Sequence, residues 1–216
     1  MKKTVLFLLT LALLSACSDK GVGYSVEGKI DAPGMNGKQV VFIEISDGNM
    51  LASDTIMIVD NAFTYDGKVN KICVRTGNIL DSDIPAFEIV LGEGPVKVKV
   101  RKDKKVEIGG TPYNDALQKI YEKSTEYGDN MRANKAAMDK DIAEGKLTKE
   151  KEEEYASTFR KLIDENTTTQ IAFARENIEN PLGEYYFFRT YFFQSFENKQ
   201  EMMLFATPAI KEKFNM

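Results

Sequence analysis

Apolar and polar residues alternate in short runs through the first half of the chain. Beyond residue 111 the apolar repeat lengthens to three and four. The runs VGYSVEGKI (22–30), QVVFIEIS (39–46), MLASDTIMIV (50–59), NKICVRT (70–76), IPAFEIVL (84–91), VKVKV (96–100) and KVEIG (105–109) predict strands, because period-two alternation gives a strand one apolar face. Asp47-Gly48-Asn49 and Asp60-Asn61 suit the tight turns of hairpins. About seven strands with no long helix between them predict an antiparallel sandwich or curled sheet, not a doubly wound parallel one.

From Thr111 the pattern is helical. Thr111 can cap a helix whose first position is Pro112, where a missing N–H costs nothing. Tyr113, Leu117, Ile120, Tyr127, Met131, Met138 and Ile142 mark one stripe, which Gly145 ends. Thr148 is the next cap, and Tyr155, Phe159, Leu162, Ile163, Phe173 and Ile178 form a second stripe ending before Asn180-Pro181. The two stripes predict an antiparallel helical hairpin over about 112–179, each arm on the order of 45 Å long. Asn134 and Asn166 interrupt its seam. An aromatic helix over about 182–196 and a short one opened by Thr207-Pro208 follow. The expected fold class is α+β: a sandwich-like β domain over 24–110 and a helical domain over 111–216.

The first residues follow a different rule. Lys2 and Lys3 precede an apolar run, Val5 to Leu14, broken only by Thr10 and followed by Ser15 and Ala16. This is the pattern of a secretory signal peptide, and it is too short to cross a bilayer as a helix. Leu14-Ser15-Ala16-Cys17 resembles the lipobox of bacterial lipoproteins. The resemblance implies removal of residues 1–16, acylation of Cys17, a short tether over 17–23 and stable anchoring to a membrane by several acyl chains. Ser18, at the second mature position, favours the outer membrane under the usual sorting rule. The alternative is an ordinary signal peptide cut near Ala16, leaving Cys17 free.

Losing two lysines with the leader takes the net charge from −4 to −6, unsuited to general nucleic-acid binding. There is no histidine, which removes Ser-His-Asp and Cys-His catalysis and His-based zinc sites. No cofactor is expected. With Cys17 acylated, Cys73 has no disulfide partner. Lys71 and Arg75 would share its strand face and could activate it, but a small apolar filler is the simpler reading.

Other candidates are weighed in the same way. Gly92-Glu93-Gly94 lies between two strands and reads as a hairpin turn, not as a phosphate loop, which would have to open a helix. Gly109-Gly110-Thr111 does open one, but capping by Thr111 explains it equally well. Lys97, Lys99 and Arg101 share one face of VKVKVR. They could contact anionic head groups or polysaccharide, or could protect a sheet edge from unwanted pairing. Asp81, Asp83, Glu88 and Glu93 read as solvated acids and not as a catalytic pair. In YYFFRTYFFQSF (185–196), eight of twelve residues are aromatic, and on a helix they would cover its whole circumference. Such a helix is buried on more than one side. Alternatively Tyr185, Phe188, Phe192 and Phe196 present a docking surface for a protein partner.

The β region also resembles a family, the domain of unknown function 4369 found on bacterial lipoproteins. The matching residues begin with Tyr-x-Val-x-Gly-x-Ile at 24–30 and Gly37-Lys38. They continue with Ser53-Asp54-Thr55, Asp60-Asn61-Ala62-Phe63 and Phe87-Glu88-Ile89-Val90-Leu91-Gly92-Glu93-Gly94. Gly110-Thr111-Pro112-Tyr113-Asn114-Asp115 closes the series. The resemblance covers about residues 24–115. In many relatives this region precedes a thioredoxin-like domain with a Cys-x-x-Cys pair. No such pair occurs here, so thiol–disulfide activity does not carry over. The expectation is a non-enzymatic, lipid-anchored envelope protein that binds or scaffolds a protein partner or glycan. The alternative is the accessory, non-catalytic half of a thiol–disulfide system whose thioredoxin-like domain is a separate chain.

Overall fold

The computed structural model of the protein describes residues 21–46 and 49–214. Cys17, the leader and the Asp47-Gly48 turn lie outside the described residues. Eight strands are followed by five helices. The strands are β1 (Val22–Ile30), β2 (Gln39–Ser46), β3 (Asn49–Met57), β4 (Ala62–Val69), β5 (Cys73–Ile79), β6 (Phe87–Leu91), β7 (Pro95–Val100) and β8 (Val106–Gly109). The helices are α1 (Pro112–Ala143), α2 (Lys149–Glu176), α3 (Pro181–Tyr191), α4 (Phe196–Phe205) and α5 (Pro208–Lys213).

The strands form two four-stranded sheets, β4-β1-β7-β8 and β3-β2-β5-β6. The second sheet is antiparallel throughout, whereas β1 and β7 in the first run parallel, with Val26 beside Val96 and Ile30 beside Val100. Alternation fills the space between the sheets: Val26, Ile30, Val96, Val98 and Val100 on one side face Val40, Phe42, Phe87 and Ile89 on the other, all buried. Phe42 stacks on Tyr65 and meets Phe87 edge-on. Asp60 and Asn61 both have positive φ, 52° and 58°, and join β3 to β4 through reciprocal bonds between Val59 and Ala62. Two left-handed residues give a hairpin turn the twist its strands need.

Three strand expectations need correction. The segment 62–69 was not expected to be a strand, yet β4 forms an edge of the first sheet. β5 starts three residues later than expected and runs through Gly77. A Cβ there would approach the Phe87 ring to 2.7 Å and Phe42 to 2.9 Å, so glycine lets both rings close over the strand. Gly92-Glu93-Gly94 is not a hairpin turn, because β6 and β7 belong to different sheets.

Helix α1 closes one side of the sandwich, where β6 and β8 are the edge strands. Thr111 accepts a hydrogen bond from Asn114 N and caps the helix. Asn114, fully buried, then acts as a partner strand would: its Oδ1 accepts from Val90 N and its Nδ2 donates to Val90 O, both at 2.9 Å. Tyr121 accepts from Glu88 N at 2.7 Å, one turn and three residues further along. On the other sheet, Gln118 accepts from Ile108 N of β8 at 2.8 Å. Three side chains of one helix thus satisfy open backbone groups of both sheets, groups that burial would otherwise leave unpaired. Gly110 has φ 98°, and a Cβ on it would meet Pro95 O at 2.6 Å.

Caps at Thr148, Asn180, Ser195 and Thr207 start the remaining helices. In the α1–α2 hairpin the fully buried residues lie near the sheets: Leu117, Ile120, Ile171 and Ala174. Farther out, polar bonds cross the seam, Asn134 to Tyr155 O at 3.0 Å and Tyr155 to Asp141 at 2.9 Å. Lys151 and Tyr155, by hydrogen bonding, hold the Asp141 carboxyl below its usual range. One cluster of buried residues runs from the sandwich into the helices.

Candidate functional site

The aromatic segment forms two elements. α3 ends at Tyr191, a turn follows, and Ser195 caps α4 by accepting from Asn198 N. The expected single helix over 182–196 is corrected accordingly. This break divides the predicted docking face. Tyr185 and Phe188 pack against the core. Tyr185 also donates to Glu88 Oε1 at 3.1 Å, and burial together with the Glu88 charge pushes its hydroxyl up to about 12. Phe188 stacks on Phe214. Phe192 and Phe196 face out, at 61% and 69% exposure, and flank Phe193 at 87%. Leu204 on α4 is exposed as well. The corner between α3 and α4 therefore carries three phenylalanines in five residues, backed by Tyr191 and Phe214, which meet Phe192.

Arg189 holds α3 to the sheet by pairing with the buried Glu88. Burial works against the Arg189 charge, and Glu88, Tyr186 and Tyr185 together more than offset it. Glu88 is thus no solvated acid, as its sequence context had suggested. The other acids fill separate roles. Asp83 pairs with Lys104, which lowers its carboxyl. Asp81 is exposed. Glu93 accepts from Tyr113 N at 3.0 Å, so the opening of α1 is occupied by the chain's own carboxylate. No group of three His, Cys, Asp or Glu among the described residues could hold a metal ion.

Lys97 and Lys99 project outward from β7 while its valines face in, as alternation requires. Edge protection does not explain them, because β7 lies between β1 and β8. Together with Lys29, beside Lys99 on β1, and Lys102 they line an open concavity on the outer face of the first sheet. Much of the charge is matched locally. Lys29 faces Asp31 at 3.8 Å, Lys99 faces Glu107 at 3.8 Å, and Arg101 reaches both Asp103 and Glu107.

A polar cluster that sequence reasoning missed lies between the sheets. Arg75, 6% exposed, donates from Nη1 to Asp54 at 2.6 Å, from Nε to Glu44 at 3.3 Å, and to the Tyr65 hydroxyl. Tyr65 in turn donates to Asp54 at 2.7 Å. Burial alone would weaken the Arg75 charge, but Tyr65 and Asp54 raise its proton affinity overall. Its partners come from three other strands, a juxtaposition that no local pattern announces.

Cys73 is buried near this cluster. Burial, then the neighbouring Glu44 carboxylate, push its thiol up from 9.0 to about 11. This is opposite to the shift that makes a reactive cysteine. Its linkage has a definite sign. Above pH 9 the unfolded chain releases the thiol proton while the folded chain keeps it, so stability falls with pH until the folded thiol ionises near 11. Urea-unfolding midpoints should decline from pH 9 to pH 11, and Cys73→Ala should make that decline shallower. Part of it should persist, because the Tyr65 and Tyr185 hydroxyls are shifted the same way.

No helix among the described residues is long and apolar enough to cross a membrane. No curated protein matches the chain. One family does: Domain of unknown function (DUF4369), over residues 24–117. The match takes in all eight strands from Tyr24 onward and the first turns of α1, including Asn114 and Leu117. It therefore ends inside the helix that closes the sandwich, and residues 24–117 of this chain are a DUF4369 domain.

Proposed function

We propose that the protein is a lipid-anchored component of the bacterial envelope, in the outer membrane, that binds another protein without catalysing a reaction. The lipobox-like Leu14-Ser15-Ala16-Cys17 supports the anchor. The observation that carries the binding role is the corner where Phe192, Phe193 and Phe196 stand exposed. Several large apolar side chains in one exposed place mark an interaction surface, and phenylalanine is enriched at the centres of such surfaces. A protein partner is favoured over a glycan because Lys29, Lys99 and Arg101 on the outer sheet face each have a carboxylate within 4 Å.

A photoreactive benzoylphenylalanine at position 193, incorporated in living cells, tests the reading. It should yield a discrete protein adduct that disappears when Phe192 and Phe196 are both replaced by aspartate. An unadducted chain, or an adduct insensitive to those replacements, would reject the corner as the binding surface. A thioredoxin-like adduct would assign the protein as the accessory half of a thiol–disulfide system.

A further inference from the structure

We infer that the free edge of β3 pairs with β3 of a second copy of this chain, antiparallel and about a two-fold axis at Thr55. The pairing joins the second sheets of the two copies into one.

Four strands border the two sheets: β4 and β8 in the first, β3 and β6 in the second. Helix α1 supplies side chains to the open backbone of β6 and β8. β4 carries an exposed charge midway, Asp66, a usual guard of a sheet edge. β3 has neither cover nor guard. Between Ala52 and Met57 its one charged residue is Asp54, and Tyr65 and Arg75 both engage that carboxylate.

Hydrogen bonding fixes which backbone groups point outward. Ile58 donates to Lys38 O and accepts from Gly37 N, so its backbone is turned toward the start of β2. Alternation along an antiparallel strand turns Ile56 and Asp54 the same way, and Met57, Thr55 and Ser53 the opposite way. Val59 follows the outward set and exchanges both bonds with Ala62. From there β3 and β4 part into different sheets. Ser53, Thr55 and Met57 are exposed, and the described residues supply no partner for their outward N–H and C=O groups.

Another strand is what satisfies such a row, and the row is its own complement. Thr55 set opposite its twin brings Ser53 opposite Met57 of the second copy, so all three residues exchange both N–H···O bonds. Any other register leaves one of them unpaired. Threonine facing threonine is a favourable cross-strand pair, and no like charges meet, since Asp54 is already matched by Arg75. Apolar area lies beside the edge. Val40 and Phe42 face the core, so Val41 and Ile43 face out, where they are only half-buried; Met57 and Val59 are exposed at 56% and 58%. An interface of this kind uses the same patch on both copies, as a two-fold axis requires.

Disulfide trapping tests the pairing in membranes of cells that express the full chain, oxidised with copper phenanthroline and resolved without reductant. Thr55→Cys should give a dimer several-fold above the unsubstituted chain, because directly opposed residues of a hydrogen-bonded pair lie about 5.5 Å apart at Cα. Ser53→Cys combined with Met57→Cys is a second design and should link as well. Adding Thr55→Lys to it sets two lysines face to face and should cut the yield several-fold. Ala137→Cys, exposed on α1, is the collision control and should stay at the baseline. Equal linkage at 137 and 55, dimers indifferent to Thr55→Lys, or no dimer from either design overturns the inference. An adduct of Thr55→Cys with a different protein also overturns it and assigns the edge to a foreign strand.

Discussion

Asn114→Ala is expected to lower the stability of the protein by about 2–5 kcal/mol, since it strips hydrogen bonds from both the N–H and the C=O of a buried strand residue, at roughly 1–3 kcal/mol for each group left unpaired. Both groups belong to Val90, and among the described residues Asn114 is their partner in the edge direction of β6. Water cannot replace the amide, because Asn114 is fully buried and Val90 with it. Asn114→Asp keeps an acceptor for Val90 N but loses the donor for Val90 O, and it sets a carboxylate beside that carbonyl; it should rescue little. Gln118→Ala removes one bond to the strand backbone, from Ile108 N, and an exposed bond to Glu122, and should cost about 1 kcal/mol. Urea unfolding followed by circular dichroism measures all three. An Asn114→Ala variant no less stable than Gln118→Ala would mean that α1 does not serve as the missing strand.

Arg75→Met should also be damaging, by about 2–4 kcal/mol, because it leaves the half-buried Glu44 and the exposed Asp54 without their shared cation, the exposed acid being partly screened by water. Glu44 and Asp54 both point at the guanidinium, and Tyr65 binds both Asp54 and Arg75. The damage should come from the orphaned acids and not from lost packing, since methionine fills much of the same space. Adding Glu44→Gln and Asp54→Asn to Arg75→Met should therefore recover more than half of the lost stability. If the triple variant is as unstable as the single one, the cluster acts through shape and not charge.

Much of this architecture is legible in local chemistry. Thr111, Thr148 and Thr207 each cap a helix at the position where a hydroxyl precedes a helical run. The Asp60-Asn61 turn and the valine–lysine alternation of β7 are equally local. Elements became illegible where a distant neighbour overrides local preference. β4 is hidden because Asp66, Gly67 and Lys68 dilute the alternation of Phe63 and Tyr65; Gly67 is needed there because Tyr24 packs over it, its hydroxyl 2.6 Å from where a Cβ would sit. Gly77 looks like a terminator for β5 for the same kind of reason. In the aromatic run a helix apolar on all sides conceals its own end, and the one available signal was Ser195 as the cap of α4. Of the four residues named for the alternative docking face, Phe192 and Phe196 are exposed, whereas Tyr185 and Phe188 pack against the core. Phe193, the most exposed of the three, was not singled out, because helical periodicity assigns it to another side.

The parallel pairing of β1 with β7 has a consequence for the order of assembly. The two strands are neighbours in space, yet about seventy residues of chain separate Ser25 from Pro95. Contacts between such distant segments form late, since a long loop must close before the pairing compensates for its lost entropy. β1 is made first and can pair early only with β4, leaving its other flank of backbone amides and carbonyls open until β7 arrives. During synthesis that flank is a template for mispairing, and a chaperone that shields extended segments should be needed most in that interval.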